Sequence, residues 1–243
     1  MNTDAVILCG GLGTRLQSVT GDTPKALVDL HGRPFMDILL EYLKIHGIRR
    51  VILCIGHQAQ AIKDHYREHS LGLEIAFSRE IEPLGTGGAL KFSRPLIQSE
   101  NFFVFNGDSF CNVNLSEVLD FHHRHHALAT QVLVKFYGGG DVGTVVIDDE
   151  KRILQFHEKT KETFPDGTAA YMNTGVCCFS RAVFDFMPPE KKFSLECDLY
   201  PKIINEPFYG YPVDVAFWDV GTPHRLQQAR QLLKESQSHE NGF

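Results

Sequence analysis

Over the first 110 residues, short apolar runs alternate with segments of helical period, and this alternation limits the fold more than any other feature. "AVILC" (5–9) and "RVILCIG" (50–56) read as buried strands, the first on both faces, "LEIAFS" (73–78) as a third strand and "NFFVFNGDSF" (101–110) as a fourth that ends in polar residues. The first two are followed by helical segments. "GRPFMDILLEYLKIHGI" places Phe35, Ile38, Leu39 and Leu43 at helical spacing, with Pro34 at its start and Gly47 past its end. "QAQAIKDHYREH" reads as the second helix, and "GGALKFSRPLI" as one that follows the third strand. The pattern implies a Rossmann-like three-layer α/β/α architecture around a mixed, mostly parallel central sheet.

The second half is richer in β-structure. "TQVLVKF", "GTVVIDD", "RILQFHEK" and "MNTGVCCFS" read as strands, followed by short helices near 181–187 and 195–204, strands across 208–218, and a last helix from about Pro223 to Glu235. The tail "SQSHENGF" looks frayed. Without a linker or composition break, the chain reads as one domain over 1–243, its two halves (1–112 and 113–243) sharing a sheet.

In open α/β sheets, ligands bind outside the carboxyl ends of the strands. The opening loop "LCGGLGTRLQSVTGDTPK" (8–25), "REIEPLGTGG" (79–88) and "NGDSF" (106–110) each follow a strand end and should share one rim. The opening loop fails the dinucleotide fingerprint, because Leu16 stands where the third glycine belongs, and no Gly-Lys-Ser/Thr follows for a phosphate loop. What remains is a glycine turn whose N–H groups can approach phosphate oxygens, with Arg15 as a forked donor and Lys25 as a mobile point charge.

Net charge is −6, so nothing favours nonspecific binding to nucleic acid or an anionic membrane, and an anion must be held by a local basic site. No apolar run approaches the roughly 20 residues that span a bilayer. The N-terminus carries an early acid and a short apolar run, which is not the pattern of a signal peptide, so a cytoplasmic location is expected. Cys9, Cys54, Cys111, Cys177, Cys178 and Cys197 form no C-x-x-C pair and read as reduced core residues.

"LCGGLGTRL" followed by "PKALV" resembles the signature of the sugar-1-phosphate nucleotidyltransferases. "EPLGTGGAL" (82–90), "FNGDSF" (105–110), Glu158–Lys159 with "NTG" (173–175), and "WDVGTP" (218–223) resemble further segments of that family, in order and over essentially the whole chain. The nearest likeness is to its short, single-domain heptose 1-phosphate guanylyltransferases. The resemblance implies a GT-A-like fold and attack of a sugar 1-phosphate on the α-phosphorus of an NTP, with pyrophosphate leaving. The sugar phosphate is already an anion at pH 7, so no general base is required.

By resemblance, Arg15, Lys25 and Asp108 are catalytic, and Asp108 and Asp219 are ligands of Mg²⁺. The nucleotide falls to Leu8, Gly10, Gly11, Gly13, Thr14 and Arg15, with Glu82, Gly85, Gly88 and Asp108. The sugar phosphate falls to Lys25, Gly107, Glu158, Lys159, Asn173 and Glu196. Capping by Ser194 accounts equally well for Glu196 and Asp198. The implied partners are GTP and a heptose 1-phosphate, with surface glycan synthesis (lipopolysaccharide, capsule or S-layer) as the setting and a homo-oligomer left open. Mannose 1-phosphate with GTP, or glucose 1-phosphate with UTP or dTTP, are the alternatives. A non-catalytic nucleotide-sugar-binding regulator would be expected to lack Arg15, Lys25 or Asp108. A glycosyltransferase would commonly show Asp-x-Asp where Gly107-Asp108-Ser109 stands.

"FHHRHH" (121–126) reads as the solvated face of an exposed helix, with His122, His125 and His126 on one side. "YGGGDVG" (137–143) reads as a hairpin or flexible turn.

Overall fold

The computed structural model describes residues 1–11, 13–21, 23–136, 143–157 and 170–240, without side chains for 17, 18 and 233–240. The sequence readings for Glu158, Lys159 and nearly all of "YGGGDVG" fall outside these residues.

The elements run β1 (Asp4–Leu8), α1 (Gln17–Thr20), β2 (Asp29–Leu30), β3 (Arg33–Pro34), α2 (Phe35–Ile45), β4 (Arg50–Ile55), α3 (Ala59–Glu68), β5 (Glu74–Arg79), α4 (Gly85–Ser93), β6 (Asn101–Asn106) and β7 (Ser109–Cys111). Then follow α5 (Leu115–Arg124), β8 (Ala129–Lys135), β9 (Thr144–Ile147), β10 (Ile153–His157), β11 (Ala170–Ser180), α6 (Tyr200–Ile203), β12 (Phe208–Val213), β13 (Phe217–Asp219) and α7 (Pro223–Glu240). Strands β6, β1, β4 and β5 lie side by side and parallel. Strand β11 joins β6 antiparallel and carries β8 and β9 into the same sheet, with β12 parallel to β8.

Alternation along β1 sets the layers. Ala5 and Ile7 face a core with Leu39 and Leu43 of α2 and Ile62 of α3, while Val6 faces the opposite core with Leu90 of α4 and Ile203 of α6. Helix α2 ends in a Schellman motif: Gly47 has φ +78°, its N–H donates to Lys44 O, and Ile48 N–H donates to Leu43 O.

Several sequence readings are corrected. The strand expected over 101–110 breaks at Gly107, and β7 leaves the main sheet to pair with β13. A Cβ on Gly107 would lie 2.7 Å from Cys9 Cβ and 2.8 Å from Leu8 O, so glycine permits the close crossing. The segment 181–187 forms 3₁₀ turns over Arg181–Phe186, and the helix near 195–204 opens with a π turn over Leu195–Leu199. Helix α7 continues to Glu240, because nothing before Gly242 breaks it.

His122 is buried rather than solvated. Its Nδ1 meets Thr130 Oγ1 at 2.9 Å and its Nε2 meets Asn101 Oδ1 at 3.2 Å, which ties α5 to β8 and β6. Burial, reinforced by His123, lowers its pKa to about 4. His126 lies past the end of α5, with φ +45°. Cys54, Cys111, Cys177 and Cys178 are buried thiols, whereas Cys197 is exposed. No helix of the described residues is long and apolar enough to cross a membrane.

Candidate active site

The loops after β1, β5 and β6 meet at one rim around a cleft of about 740 Å³. The two ends of the opening loop come together there. Gly13, with φ +62°, would place a Cβ 3.6 Å from Lys25 Cβ. Leu16, 1% exposed, anchors the loop's middle in a small core with Phe35 and Trp218. Gly10, Gly11, Thr14, Arg15 and Lys25 line the cleft with Leu8 and Gly13. A Cβ on Gly11 would meet nothing within 4 Å, so the glycine leaves backbone bare beside the cleft.

Two carboxylates converge opposite this loop. Strands β7 and β13 form a short antiparallel ribbon that pairs Ser109 with Asp219 and Phe110 with Trp218. Val220 N–H donates to Asp108 O at 2.8 Å, which extends the ribbon to Asp108. The point where a Cβ would stand on Gly221 lies 3.0 Å from Asp219 Oδ1, 3.6 Å from Lys25 Nζ and 3.7 Å from Asp108 Oδ2. Lys25 Nζ donates to Asp108 Oδ2, and Arg225 holds Asp219 Oδ2 at 3.1 Å. Each carboxylate therefore has its own cation.

A third wall comes from a bulge in β11. Against β8 the register slips between Asn173 and Cys177, at Gly175 with φ +75°. Buried Gln131 spans the bulge: its Nε2 donates to Asn173 Oδ1 at 2.7 Å and to Val176 O at 2.8 Å. Asn173 Oδ1 also accepts from Gly175 N–H at 2.8 Å, and Ser109 Oγ donates to Thr174 O at 3.1 Å. Asn173 and Gly107 line the cleft.

Residues Lys191–Ser194 lie across α4, and its glycines make room for them. A Cβ on Gly85 would lie 2.5 Å from Phe193 O, and one on Gly88 would lie 2.2 Å from Lys191 O. Gly87 and Gly88 N–H both donate to Phe193 O, so these donors are committed to packing. Gly85 lines the cleft, but Gly88 and exposed Glu82 do not. Glu196 does line it. Its Oε2 accepts from Thr86 Oγ1 at 2.8 Å and Ser194 Oγ at 2.7 Å, while Ser194 Oγ caps the turn by accepting from Glu196 and Cys197 N–H. Asp198 instead accepts from Ser194 N–H at 2.7 Å. Capping by Ser194 is therefore present, and of the two acids Glu196 lines the cleft while Asp198 does not.

The chain matches the model of the nucleotidyl transferase family over residues 4–236. It belongs to that family. It is 34% identical to the D-glycero-α-D-manno-heptose 1-phosphate guanylyltransferase of Campylobacter jejuni, over 90% of this chain and 95% of that protein. It is 35% identical to the mannose-1-phosphate guanylyltransferase of Mycobacterium tuberculosis, over 90% of this chain and 61% of that longer protein. Among solved structures, HddC from Yersinia pseudotuberculosis complexed with GMP-PN superposes with a TM-score of 0.81 at 31% identity, covering 95% of this chain and 99% of that one.

Within this nucleotidyl transferase fold, sequence reasoning missed Glu80 and Arg225. Glu80 directly follows β5 and lines the cleft, and a Cβ on Gly10 would lie 2.7 Å from its Oε1. Its Oε2 accepts from Leu84 N–H at 3.2 Å. Burial raises its pKa against that hydrogen bond, and the neighbouring Cys9 thiol is pushed up by burial first, then by Cys54 and by the Glu80 charge. Its position directly after an expected strand end was the available signal. Arg225, six residues beyond Asp219, had no signal apart from tertiary pairing.

Proposed function

We propose that the protein transfers GMP from GTP to a sugar 1-phosphate, most specifically D-glycero-α-D-manno-heptose 1-phosphate, with release of pyrophosphate. The observation that carries this reading is the convergence of Lys25, Asp108 and Asp219 facing the glycine loop in one cleft. The obstacle to the reaction is bringing two anions into line, so positioning and charge neutralisation supply the catalysis. Arg15 would hold the β- and γ-phosphates and keep the departing pyrophosphate. Lys25 would move from Asp108 to the α-phosphate and the incoming phosphate. Asn173 and Glu196, with Glu158 and Lys159, would orient the sugar.

The residues fit Mg²⁺. Two carboxylates, Asp108 in the turn before β7 and Asp219 at the end of β13, converge beside Lys25 and Arg225, which suits an ion that takes one or two carboxylates and completes its shell with phosphate oxygens and water. Asp108 and Asp219 would hold it, and it would neutralise phosphate charge.

Glu80 supports guanine. A carboxylate offers only acceptors, and guanine presents two adjacent donors on its pairing edge, whereas uracil and thymine present one donor between two carbonyls. The guanylyltransferase relatives and the HddC complex support the same base. The test is pyrophosphate release with four NTPs against a panel of sugar 1-phosphates. Turnover confined to GTP with the heptose phosphate is expected. Hexose phosphates turning over in its place would move the substrate to mannose or glucose, and no turnover in any cell would end the enzyme reading. Such a protein would work in the cytoplasm and supply surface glycan synthesis.

A further inference from the structure

Gln131 is fully buried on β8. Burying an amide is costly unless its polar atoms find partners. Its Nε2 donates to Asn173 Oδ1 at 2.7 Å and to Val176 O at 2.8 Å, with Val132 O more distant at 3.3 Å. Its Oε1 accepts from the Tyr200 hydroxyl at 3.2 Å. Where β11 loses register with β8, this side chain stands in for the missing ladder bond.

Backbone groups decide which way both amides face. Val176 O can only accept, so Gln131 turns its NH₂ toward the bulge and its carbonyl toward Tyr200. Asn173 then meets one N–H from Gln131 and another from Gly175, at 2.7 and 2.8 Å, and both require its oxygen. A reversed Asn173 amide would set its NH₂ against two donors. The Asn173 NH₂ is therefore the end left for the cleft, which this residue lines. It offers two donors, matched to a hydroxyl or phosphate oxygen.

Tyr200 extends the path to a second wall. It directly follows the π turn Leu195–Leu199, which carries Glu196 into the cleft. Its ring packs on Phe156 and Phe208, with centroids 4.8 and 5.2 Å away. Glu196 brings acceptors and Asn173 donors, and the buried path Tyr200–Gln131–Asn173 joins the two elements that carry them. A sugar, whose hydroxyls both donate and accept, is the ligand class that uses such a pair.

We propose that Gln131 is a positioning residue for the sugar 1-phosphate: it holds Asn173 in the one amide orientation that turns two N–H donors into the cleft. This rests on the reading that Asn173 orients the sugar, and deepens it by assigning the polarity of that contact. Gln131 itself does not touch the substrate.

The test uses the full chain and measures pyrophosphate release at a temperature below the melting of every variant. Saturating GTP is combined with D-glycero-α-D-manno-heptose 1-phosphate, or with mannose 1-phosphate if the wild type prefers it. Gln131→Met keeps length without hydrogen bonds. It should raise the KM for the sugar phosphate roughly three- to tenfold, with kcat and the KM for GTP within about twofold of wild type. In an Asn173→Ala background the same change should have no further effect on that KM, because Gln131 acts through Asn173. Multiplying losses in the double variant, or equal losses for GTP, would make Gln131 a structural residue only and overturn the proposal. Asn173→Asp tests the orientation with Gln131 intact. It keeps the acceptor toward Gln131 and Gly175 and removes the outward donors, so the sugar phosphate KM should rise at least as far as in Asn173→Ala. A wild-type KM would overturn the orientation while leaving the enzyme reading intact. Failure of the wild-type protein to use any sugar 1-phosphate with GTP would overturn both.

Discussion

Lys25 Nζ donates to the Asp108 carboxylate, joining the far end of the opening loop to the turn after β6. The two residues are 83 positions apart. The pair is partly exposed, with side chains 19% and 32% accessible, so it contributes only about 0–1 kcal/mol to stability. Its placement is better explained by chemistry than by folding.

Asp108→Asn should therefore leave Tm within a few degrees of wild type while kcat falls about a hundredfold or more. Steady-state kinetics at saturating Mg²⁺ and a thermal melt check both halves. A wild-type kcat would contradict the metal role.

If the Lys25 charge acts mainly as the two anions meet, Lys25→Ala should reduce kcat more than it raises the KM for either substrate. An effect confined to KM would make Lys25 a ground-state binding residue.

Glu80→Gln keeps size and replaces one acceptor oxygen with an NH₂ donor. The kcat/KM for GTP should fall about 10–100-fold, the loss expected from a charged hydrogen-bond pair, and the penalty against UTP should shrink. Competition between the two nucleotides reads the ratio directly.

Gly88→Ala places a methyl 2.2 Å from the Lys191 carbonyl. Overpacking of this kind costs about 1–3 kcal/mol, and a chain of this size loses roughly 2–4 °C per kcal/mol. A melt should show the drop. An unchanged Tm would mean the 191–193 strand of contacts yields freely.

His122 supplies a pH dependence. Its folded pKa of about 4 lies below its unfolded value of 6.5, so the unfolded chain binds more protons between these limits. Stability from this group is complete above pH 6.5 and is lost as pH falls toward 4, to a total of about 3 kcal/mol. His122→Leu should lower Tm at pH 7, because Thr130 and Asn101 lose their partner, and should flatten the slope between pH 6.5 and 4.5. Melts across that range distinguish the two effects.

Much of the fold was legible because its signals are local. The parallel strands β1, β4 and β5 are apolar runs, and α2 carries its own stop at Gly47. The place of the opening loop on the rim was legible too, and its Gly10, Gly11, Arg15 and Lys25 line the cleft. The break of the fourth strand at Gly107 was not legible, since it depends on a crossing with Leu8 and Cys9. Nor was the burial of His122, because four histidines in six residues give a polar pattern and the burying partners Thr130 and Asn101 come from other strands. Glu80 and Glu82 are two positions apart with the same chemistry, and only the fold decides which of them lines the cleft.

The sequence by itself determined the layers, the rim of the sheet that carries the polar loops, and the charged residue types available there. These depend on period, apolar content and charge, which are properties of neighbours along the chain. The tertiary structure decided which groups share a site: Asp108 with Asp219 through a three-residue ribbon, Asn173 through a bulge spanned by Gln131, and Arg225 through the first turn of α7. Such pairings depend on where separate strands end and how closely backbones cross, and that information exists only once the chain has packed.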